Sequence, residues 1–377
     1  MKPEIKEVKT KKEVKLFVKV PFTIYKGHPY WVPPLIRDEM ELFDKEKNPA
    51  YEYAESRLFI AYVNGKPVGR IAAILSHAAN TKYGTKNIRF GWFDTIDDYD
   101  VAEALFERVE TWGRELGMET VTGPHGFCDL DSEGMMVEGF DTLPTIICFY
   151  NNAYYPPFTE KFGFTKEIDY YEYVTPVPHE KGIPEKLLTL AERIKERTNI
   201  KLLEFKSNKD VLARGTEIFE LIDEAFEEIY GTTPLTRRQI DYYVKKYISF
   251  LDKDMIKAAV NEKNEIVGFM FTVPNLSKGF QKANGRLLPF GWFHLLKAMK
   301  ARDVVDFYLA GVKKKYQGKG IDLLMVVEIV KMAMEKGFRC AESNLELENN
   351  TKVQALWKHF NPVRKRIRRI YKKTINS

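Results

Sequence analysis

Apolar positions recur along the chain with two periods, and the changes of period mark the elements. Leu58 to Ile74 (LFIAYVNGKPVGRIAAI) holds two apolar runs around Asn64-Gly65-Lys66-Pro67. Asn-Gly accepts the positive φ of a tight turn, so this stretch predicts a β-hairpin. Ile256 to Val273 (IKAAVNEKNEIVGFMFTV) repeats the pattern with a slightly longer turn, Gly268 standing opposite Gly69. Val101 to Val121 has apolar residues at helical spacing, stops at Gly117 and enters a strand; Ile321 to Ala341 does the same 220 residues later, with Gly337 opposite Gly117. A glycine ends each helix by taking the left-handed conformation. A third pair, Phe158 to Tyr173 and Leu356 to Tyr371, is offset by 198. The fall from 220 to 198 places an insertion of about 22 residues in the first copy, within Gly123 to Pro144.

The chain therefore reads as two copies of one α/β unit. The division falls at 1–178 and 179–377, where Thr175-Pro176-Val177-Pro178 and Gly182-Ile183-Pro184 supply an extended, helix-breaking link. Further helices are expected at 184–199, 211–230 and 236–250. Phe90-Gly91-Trp92-Phe93 and Phe290-Gly291-Trp292-Phe293 share a tetrapeptide but precede different elements, and are read as coincidence.

Composition narrows the class. Over 377 residues, 59 Lys and Arg are mixed with 53 Asp and Glu, a net charge of +6, and 44% of positions are apolar. Such a chain buries real cores, which excludes disorder and fibrous or disulfide-built scaffolds. The longest apolar run, around Leu323 to Val327, is far short of the roughly 20 residues that span a bilayer, and MKPEIKEVKTKKEVK has no apolar signal core. These features predict a soluble, cytoplasmic protein. Cys128, Cys148 and Cys340 are odd in number and widely spaced, so reduced thiols are expected. No two of the six histidines have metal-site spacing, and Asp129, Asp131 and Glu133 in a glycine-rich loop read as turn residues, so no metal is expected.

Chemistry concentrates after the second hairpin. An apolar strand ending at Gly311-Val312 runs into the basic turn Lys313-Lys314-Lys315-Tyr316-Gln317-Gly318-Lys319-Gly320, which opens a helix at Ile321. Glycines let backbone N–H groups approach an anion, and a helix start presents unpaired donors, an arrangement suited to a pyrophosphate. Gln317-Gly318-Lys319-Gly320-Ile321 resembles the pyrophosphate motif of the GNAT acyltransferases, and Asn350 to Trp357 resembles that family's later Asn-x-x-Ala-x-x-Leu-Tyr helix. WVPPL (Trp31 to Leu35), GRIAAI and the tandem layout resemble the bacterial tandem-GNAT group that includes the YghO-like proteins, with bacterial ceramide synthases nearby.

That resemblance implies a fold class and a reaction. The fold is α/β (α+β), two GNAT-like domains in tandem, each a central twisted mixed sheet flanked by helices. The function is N-acyl transfer from acetyl-CoA or a longer acyl-CoA to a small-molecule or lipid amine, with chemistry in the C-terminal domain. The resemblance assigns the cofactor to Gly311, Val312, Gln317, Gly318, Lys319, Gly320, Ile321 and Asn350, a backbone N–H near Gly311 or Val312 holding the thioester oxygen. Proton transfer is assigned to Glu342 and Asp306, with Glu346 and Glu348 further along, and to Tyr371 on the last strand. Two departures bear on this: Asp322 adds a carboxylate beside the cradle, and Trp357 replaces a tyrosine that protonates the leaving thiolate. In the first copy Asp98 and Asp100 stand where the two glycines should be, preceded by Asp97, and these carboxylates repel a pyrophosphate, so that domain is expected to lack the cofactor site.

Arg364 to Lys373 carries seven basic residues in ten. It reads as a solvated edge strand, with peripheral membrane contact as the sharper alternative. No nucleic-acid partner is expected, and the two fused copies suggest a monomer. Two alternative functions stand beside the enzyme: a catalytically silent CoA- or metabolite-binding module, and a tRNA-dependent aminoacyl transferase.

Overall fold

The computed structural model describes residues 2–247 and 252–375. In chain order the first part holds β1 (Glu4–Glu7), α1 (Lys11–Ile24), α2 (Ile36–Leu42), β2 (Ala54–Val63), β3 (Lys66–Ser76), α3 (His77–Tyr83), β4 (Asn87–Thr95), α4 (Tyr99–Glu115), β5 (Thr120–Gly123), β6 (Met135–Glu138), α5 (Tyr155–Lys161) and β7 (Thr165–Pro176). The expected first hairpin is β2–β3, closed by Asn64 and Gly65 at φ 52° and 72°. The expected helix is α4, with Gly117 at φ 67° just beyond its end.

The second part holds α6 (Glu185–Thr198), β8 (Lys201–Leu203), α7 (Asn208–Ala213), α8 (Gly215–Phe226), α9 (Arg237–Tyr247), β9 (Ile256–Val260), β10 (Ile266–Pro274), α10 (Ser277–Ala283), α11 (Gly291–Met299), β11 (Val304–Val312), α12 (Ile321–Glu335), β12 (Cys340–Glu342), β13 (Glu346–Leu347), α13 (Thr351–Trp357) and β14 (Val363–Thr374). The helix expected over 211–230 is divided at Arg214, which leaves α7 and α8 separate. The end of the helix expected over 236–250 lies outside the described residues. The shared tetrapeptide falls in β4 in one copy and enters α11 in the other, so it marks no structural equivalence.

Two compact units emerge. One comprises Met1–Tyr171, Ser277–Leu296 and Lys365–Ser377, the other Glu172–Leu276 and Lys297–Arg364. Repeats and compact units divide the chain differently because the last strand of the second repeat completes the first unit's sheet. There β1, β2, β3, β4, β5 and β14 lie in that order, and β6 pairs with β14. Its core runs from Phe90, Leu105, Phe106 and Trp112 to Tyr371, with a second cluster around Phe17, Ile74 and Phe127. In the second unit Val174–Pro176 of β7 pair with β12, followed by β11, β10, β9 and β8, and α12 is buried against the sheet along most of its length.

The expected solvated edge strand is corrected by this topology. β14 pairs with β5 through Tyr371–Thr374 and with β6 through Ile367–Arg369. Arg366 and Arg368 are buried, donating to the carbonyls of Leu143 and Phe149, and Arg369 grips Asp169 with two hydrogen bonds of 2.8 and 3.1 Å. Each buried guanidinium needs several acceptors, and carbonyls of the insertion and of the segment just after it supply some of them.

β4 and β11 each carry a bulge. Between Arg70↔Asp94 and Ala72↔Gly91, β4 has one more residue than β3, and Trp92 there takes φ 46°. Between Phe271↔Leu309 and Thr272↔Phe307, Tyr308 is the extra residue of β11. A bulge bends its strand and ends regular pairing. In β4 the bend is held by close backbone contact, since a Cβ on Gly91 would lie 2.2 Å from the carbonyl oxygen of His125. Gly91→Ala is therefore expected to destabilise the protein by about 1–3 kcal/mol, read as a lower denaturation midpoint; an unchanged midpoint would mean that the β4–His125 contact yields freely.

Candidate functional site

In the second unit β11 and β12 run parallel only from Val304↔Cys340 to Asp306↔Glu342. β11 continues to Val312, pairing there with β10 alone. Lys313 N–H donates to the Val267 carbonyl, so the neighbouring pair Gly268↔Val312 is of the non-hydrogen-bonded kind and the Val312 N–H points away from β10. Gly311, by the same alternation, faces β10. The strand then enters the turn: Lys314–Tyr316 form a short 3-10 helix, Gly318 and Gly320 take φ 72° and 85°, and α12 starts at Ile321.

Internal contacts fix this turn. Gln317 donates its amide to the Val312 carbonyl at 3.1 Å, Arg197 donates to the Lys319 carbonyl at 3.0 Å, and the Lys319 ammonium lies over the Tyr316 ring. The two glycines differ in what surrounds them. A Cβ on Gly320 would meet Ile194 at 2.5 Å, whereas one on Gly318 meets nothing within 4 Å. Asp322 accepts the Leu323 N–H at 3.0 Å, so its carboxylate occupies one donor of the helix start. Asn350 caps α13, its side chain accepting the Val353 N–H.

Three buried carboxylates follow the parting strands. Asp306 and Glu342 face each other in register, and the Asn275 amide donates to both oxygens of Asp306 at 3.0 and 3.1 Å. Glu346 accepts the Trp357 indole N–H at 2.5 Å through Oε1, while its Oε2 is buried with no partner. Burial pushes the Glu346 carboxyl up to about 7, against the opposing pull of Ser343 and Trp357. The Trp357 indole keeps its proton where a phenol can release one, and it orients this carboxylate. Tyr371 stands in the first unit, buried, its hydroxyl donating to Glu160 at 2.9 Å and held well above the ordinary tyrosine range by that burial.

The first unit uses the equivalent places for packing. With Gly69 aligned to Gly268, Thr95 corresponds to Val312, and its N–H is taken by the Tyr155 hydroxyl at 2.8 Å. Asp94, at the place of Gly311, forms a buried ion pair with Arg70 at 2.7 Å and accepts the Tyr25 hydroxyl. Asp98 caps α4 by accepting the Asp100 N–H, so that helix start carries its own anion.

A second buried cluster lies in this unit, and it corrects the reading of Glu133 as a turn residue, because the side chain is buried against His125. His125 Nδ1 lies 3.3 Å from Glu133 Oε2, both residues buried, beside a cavity of about 40 Å³ lined by Glu133, Asp94, Asn151 and Tyr155. That space suits water rather than a substrate. Burial, and then the charge of Arg89, hold His125 well below the usual imidazole range, while burial raises Glu133 to about 7. Asp131 is a turn residue, accepting the N–H groups of Phe127 and Cys128. Among the described residues no three potential ligands gather as a metal site.

No protein-family profile matches the chain. A bacterial ceramide synthase of Caulobacter vibrioides is 28% identical over 379 residues, covering 98% of this chain and 96% of its own. Protein YghO of Escherichia coli is 26% identical over 372 residues, covering 97% and 94%. A solved tandem GNAT protein from the clavulanic acid biosynthesis pathway superposes over 99% of both chains with a TM-score of 0.55 at 12% identity. The chain is a tandem GNAT-fold protein resembling the YghO-like group. Its fold class is the one the sequence implied, two GNAT-like domains built on mixed sheets flanked by helices.

The Glu133 carboxyl sets a pH dependence of stability. Because its folded pKa of about 7 exceeds the ordinary 4.5, the folded state holds the proton over that interval, and stability falls as pH rises from about 4.5 to about 7. Glu133→Gln removes this loss, on the order of 3 kcal/mol. The variant's melting temperature should fall less than that of the parent between pH 5 and pH 8; parallel melting curves would contradict the assignment.

Proposed function

We propose that the protein is an N-acyltransferase that moves an acyl group from a CoA thioester to an amine, with the chemistry in the second unit. The observation that carries this reading is the parting of β11 from β12 beyond Asp306 and Glu342. It leaves the Val312 N–H, which points away from β10, without a strand partner among the described residues, next to a basic glycine turn and the start of a long helix. The first unit supports it by contrast, because Tyr155 and Asp98 already occupy the corresponding donors.

In this reading Gln317, Gly318, Lys319, Gly320 and Ile321 receive the CoA pyrophosphate, and the Val312 N–H, with Gly311 keeping the strand in close packing, binds the thioester oxygen. Asn350 contributes by capping α13, the helix that carries Trp357. Asp306 and Glu342 attract the acceptor as an ammonium ion. Glu346 takes its proton, directly or through water, because a carboxyl near pH 7 is matched to that task. The amine nitrogen then attacks the carbonyl carbon, the C–N bond forms, and negative charge on oxygen is met by the Val312 N–H. The C–S bond breaks, CoA leaves as a thiolate, and the second proton of the attacking nitrogen passes through solvent to that thiolate, leaving the amide and the free thiol. The ceramide synthase relative supports a lipid acceptor: a ceramide is an amide of a fatty acyl group and a long-chain amino alcohol. Asp322 favours a second reading, a CoA-binding module without turnover, since its carboxylate already fills a helix-start donor.

Calorimetric titration with palmitoyl-CoA and acetyl-CoA, alongside thiol release in the presence of a long-chain amino alcohol, separates the two readings. Turnover preferring palmitoyl-CoA is expected; saturable binding without turnover would establish the silent module, and no binding would remove both. Gly318→Asp, which adds a carboxylate where a Cβ meets nothing within 4 Å though at a strained φ of 72°, is expected to weaken CoA binding by at least about 10-fold relative to Gly318→Asn, which carries the same strain without the charge. Glu346→Gln is expected to leave that binding intact and lower kcat by about 10²–10⁴-fold. The parent's kcat/KM should rise with pH through about 7, as the carboxyl ionises, and this limb should vanish in Glu346→Gln. A retained limb would assign the base elsewhere.

A further inference from the structure

Between residues 277 and 302 there are six Lys and Arg residues and no Asp or Glu, in a chain that otherwise mixes the two signs. The same stretch carries seven of the twelve large apolar side chains exposed among the described residues: Leu287, Leu288, Phe290, Trp292, Phe293, Leu296 and Met299. Leu288 and Phe290 are 76% and 72% exposed. Isolated exposed apolar residues are ordinary, but a contiguous group of this size on one loop and helix marks an interaction surface.

The segment is firmly based. Ser277 donates to the Pro144 carbonyl at 2.7 Å, Gln281 donates to the carbonyls of Pro29 and Trp31, and the Gly285 carbonyl accepts the Ile36 N–H at 3.0 Å. Beyond that base the chain projects Leu287 to Phe290 and turns into α11. Gly291 and Ala298 form the helix's buried side, while Trp292, Phe293 and Leu296 face outward. The Trp292 indole N–H donates to the Pro289 carbonyl at 2.9 Å, so the ring can leave water without losing a hydrogen bond. Lys278, Lys282, Arg286 and Lys297 are exposed around the apolar group.

We propose that Leu287–Leu296 is a membrane-docking element: its aromatic and aliphatic side chains enter the interfacial region of a bilayer, and the surrounding lysines and arginine bind anionic lipid headgroups. Apolar side chains projecting from a segment whose own charged residues are all cationic are complementary to an anionic lipid surface on both counts. An acidic headgroup layer supplies the countercharge this segment lacks. The inference goes beyond the acyl-transfer reading and does not depend on it.

The test is sedimentation of the full chain with phosphatidylcholine vesicles, with and without phosphatidylglycerol, together with tryptophan emission. Trp31, Trp92, Trp112 and Trp357 are buried, so Trp292 is the exposed reporter, and its assignment is checked by loss of the signal in Trp292→Phe. Binding to anionic vesicles that weakens with salt, accompanied by a blue shift, is expected. Phe290→Ser with Leu296→Ser should lower partitioning by about 10-fold or more, and Lys282→Gln with Arg286→Gln and Lys297→Gln should lower it mainly on anionic vesicles, by about 5-fold per charge. All five positions are exposed, and unchanged melting and CoA titration would show that fold and donor site are intact. Absence of vesicle binding, or binding unaffected by both variants, would overturn the proposal. So would concentration-dependent dimerisation abolished by Phe290→Ser/Leu296→Ser without vesicle binding, which would make the surface a contact between copies.

Discussion

A strand that loses one neighbour partway along must place its remaining backbone donors somewhere, because an unsatisfied buried N–H is costly. Both units meet this constraint at the same aligned position, after a bulge has bent the strand away from its parallel partner. The first unit closes the gap with its own chemistry: Tyr155 on the Thr95 N–H, Arg70 on Asp94, and Asp98 on the start of α4. In the second unit no side chain among the described residues occupies the Val312 N–H, and the strand is followed by glycines and lysines. The structural asymmetry of the two repeats is thus a difference in how one backbone problem is solved.

The buried carboxylates extend the same logic. Glu346 is raised to about 7 by burial and steadied through one oxygen by Trp357, which leaves the other oxygen for a proton. The tryptophan that departs from the family's tyrosine therefore has a structural task at the site. In the first unit Glu133 reaches a similar value beside a neutral His125, around a space suited to water. Two carboxyls with similar proton affinities differ in setting: one has an oxygen without a partner beside the parting strands, and the other is enclosed with its histidine.

Features encoded by short stretches were legible in the sequence. Asn64-Gly65, Gly117 and Gly337 ended or turned their elements as their backbone freedom requires, and the glycine turn before Ile321 stood out because its two positive-φ glycines lie within four consecutive residues of the helix start. Features made by distant pairing were not legible. The basic run Arg364–Lys373 resembles a solvated edge until it pairs with β5 and β6 and carbonyls of distant loop residues take up Arg366 and Arg368. His125 and Glu133 lie in the insertion, where no periodicity constrains them, and their interaction depends on burial. The exposed face of α11 also escaped notice, since an apolar helix with scattered lysines reads as a core element until its environment is known.

The most direct test of the account is hydrogen exchange on the full chain with and without saturating CoA, resolved by peptide. The account predicts protection of peptides covering Leu309 to Leu324, where β11 enters the turn and α12, and none over Asp94 to Ala102 at the corresponding place in the first unit. Protection confined to the first unit, or no protection at either junction while CoA is bound, would contradict it.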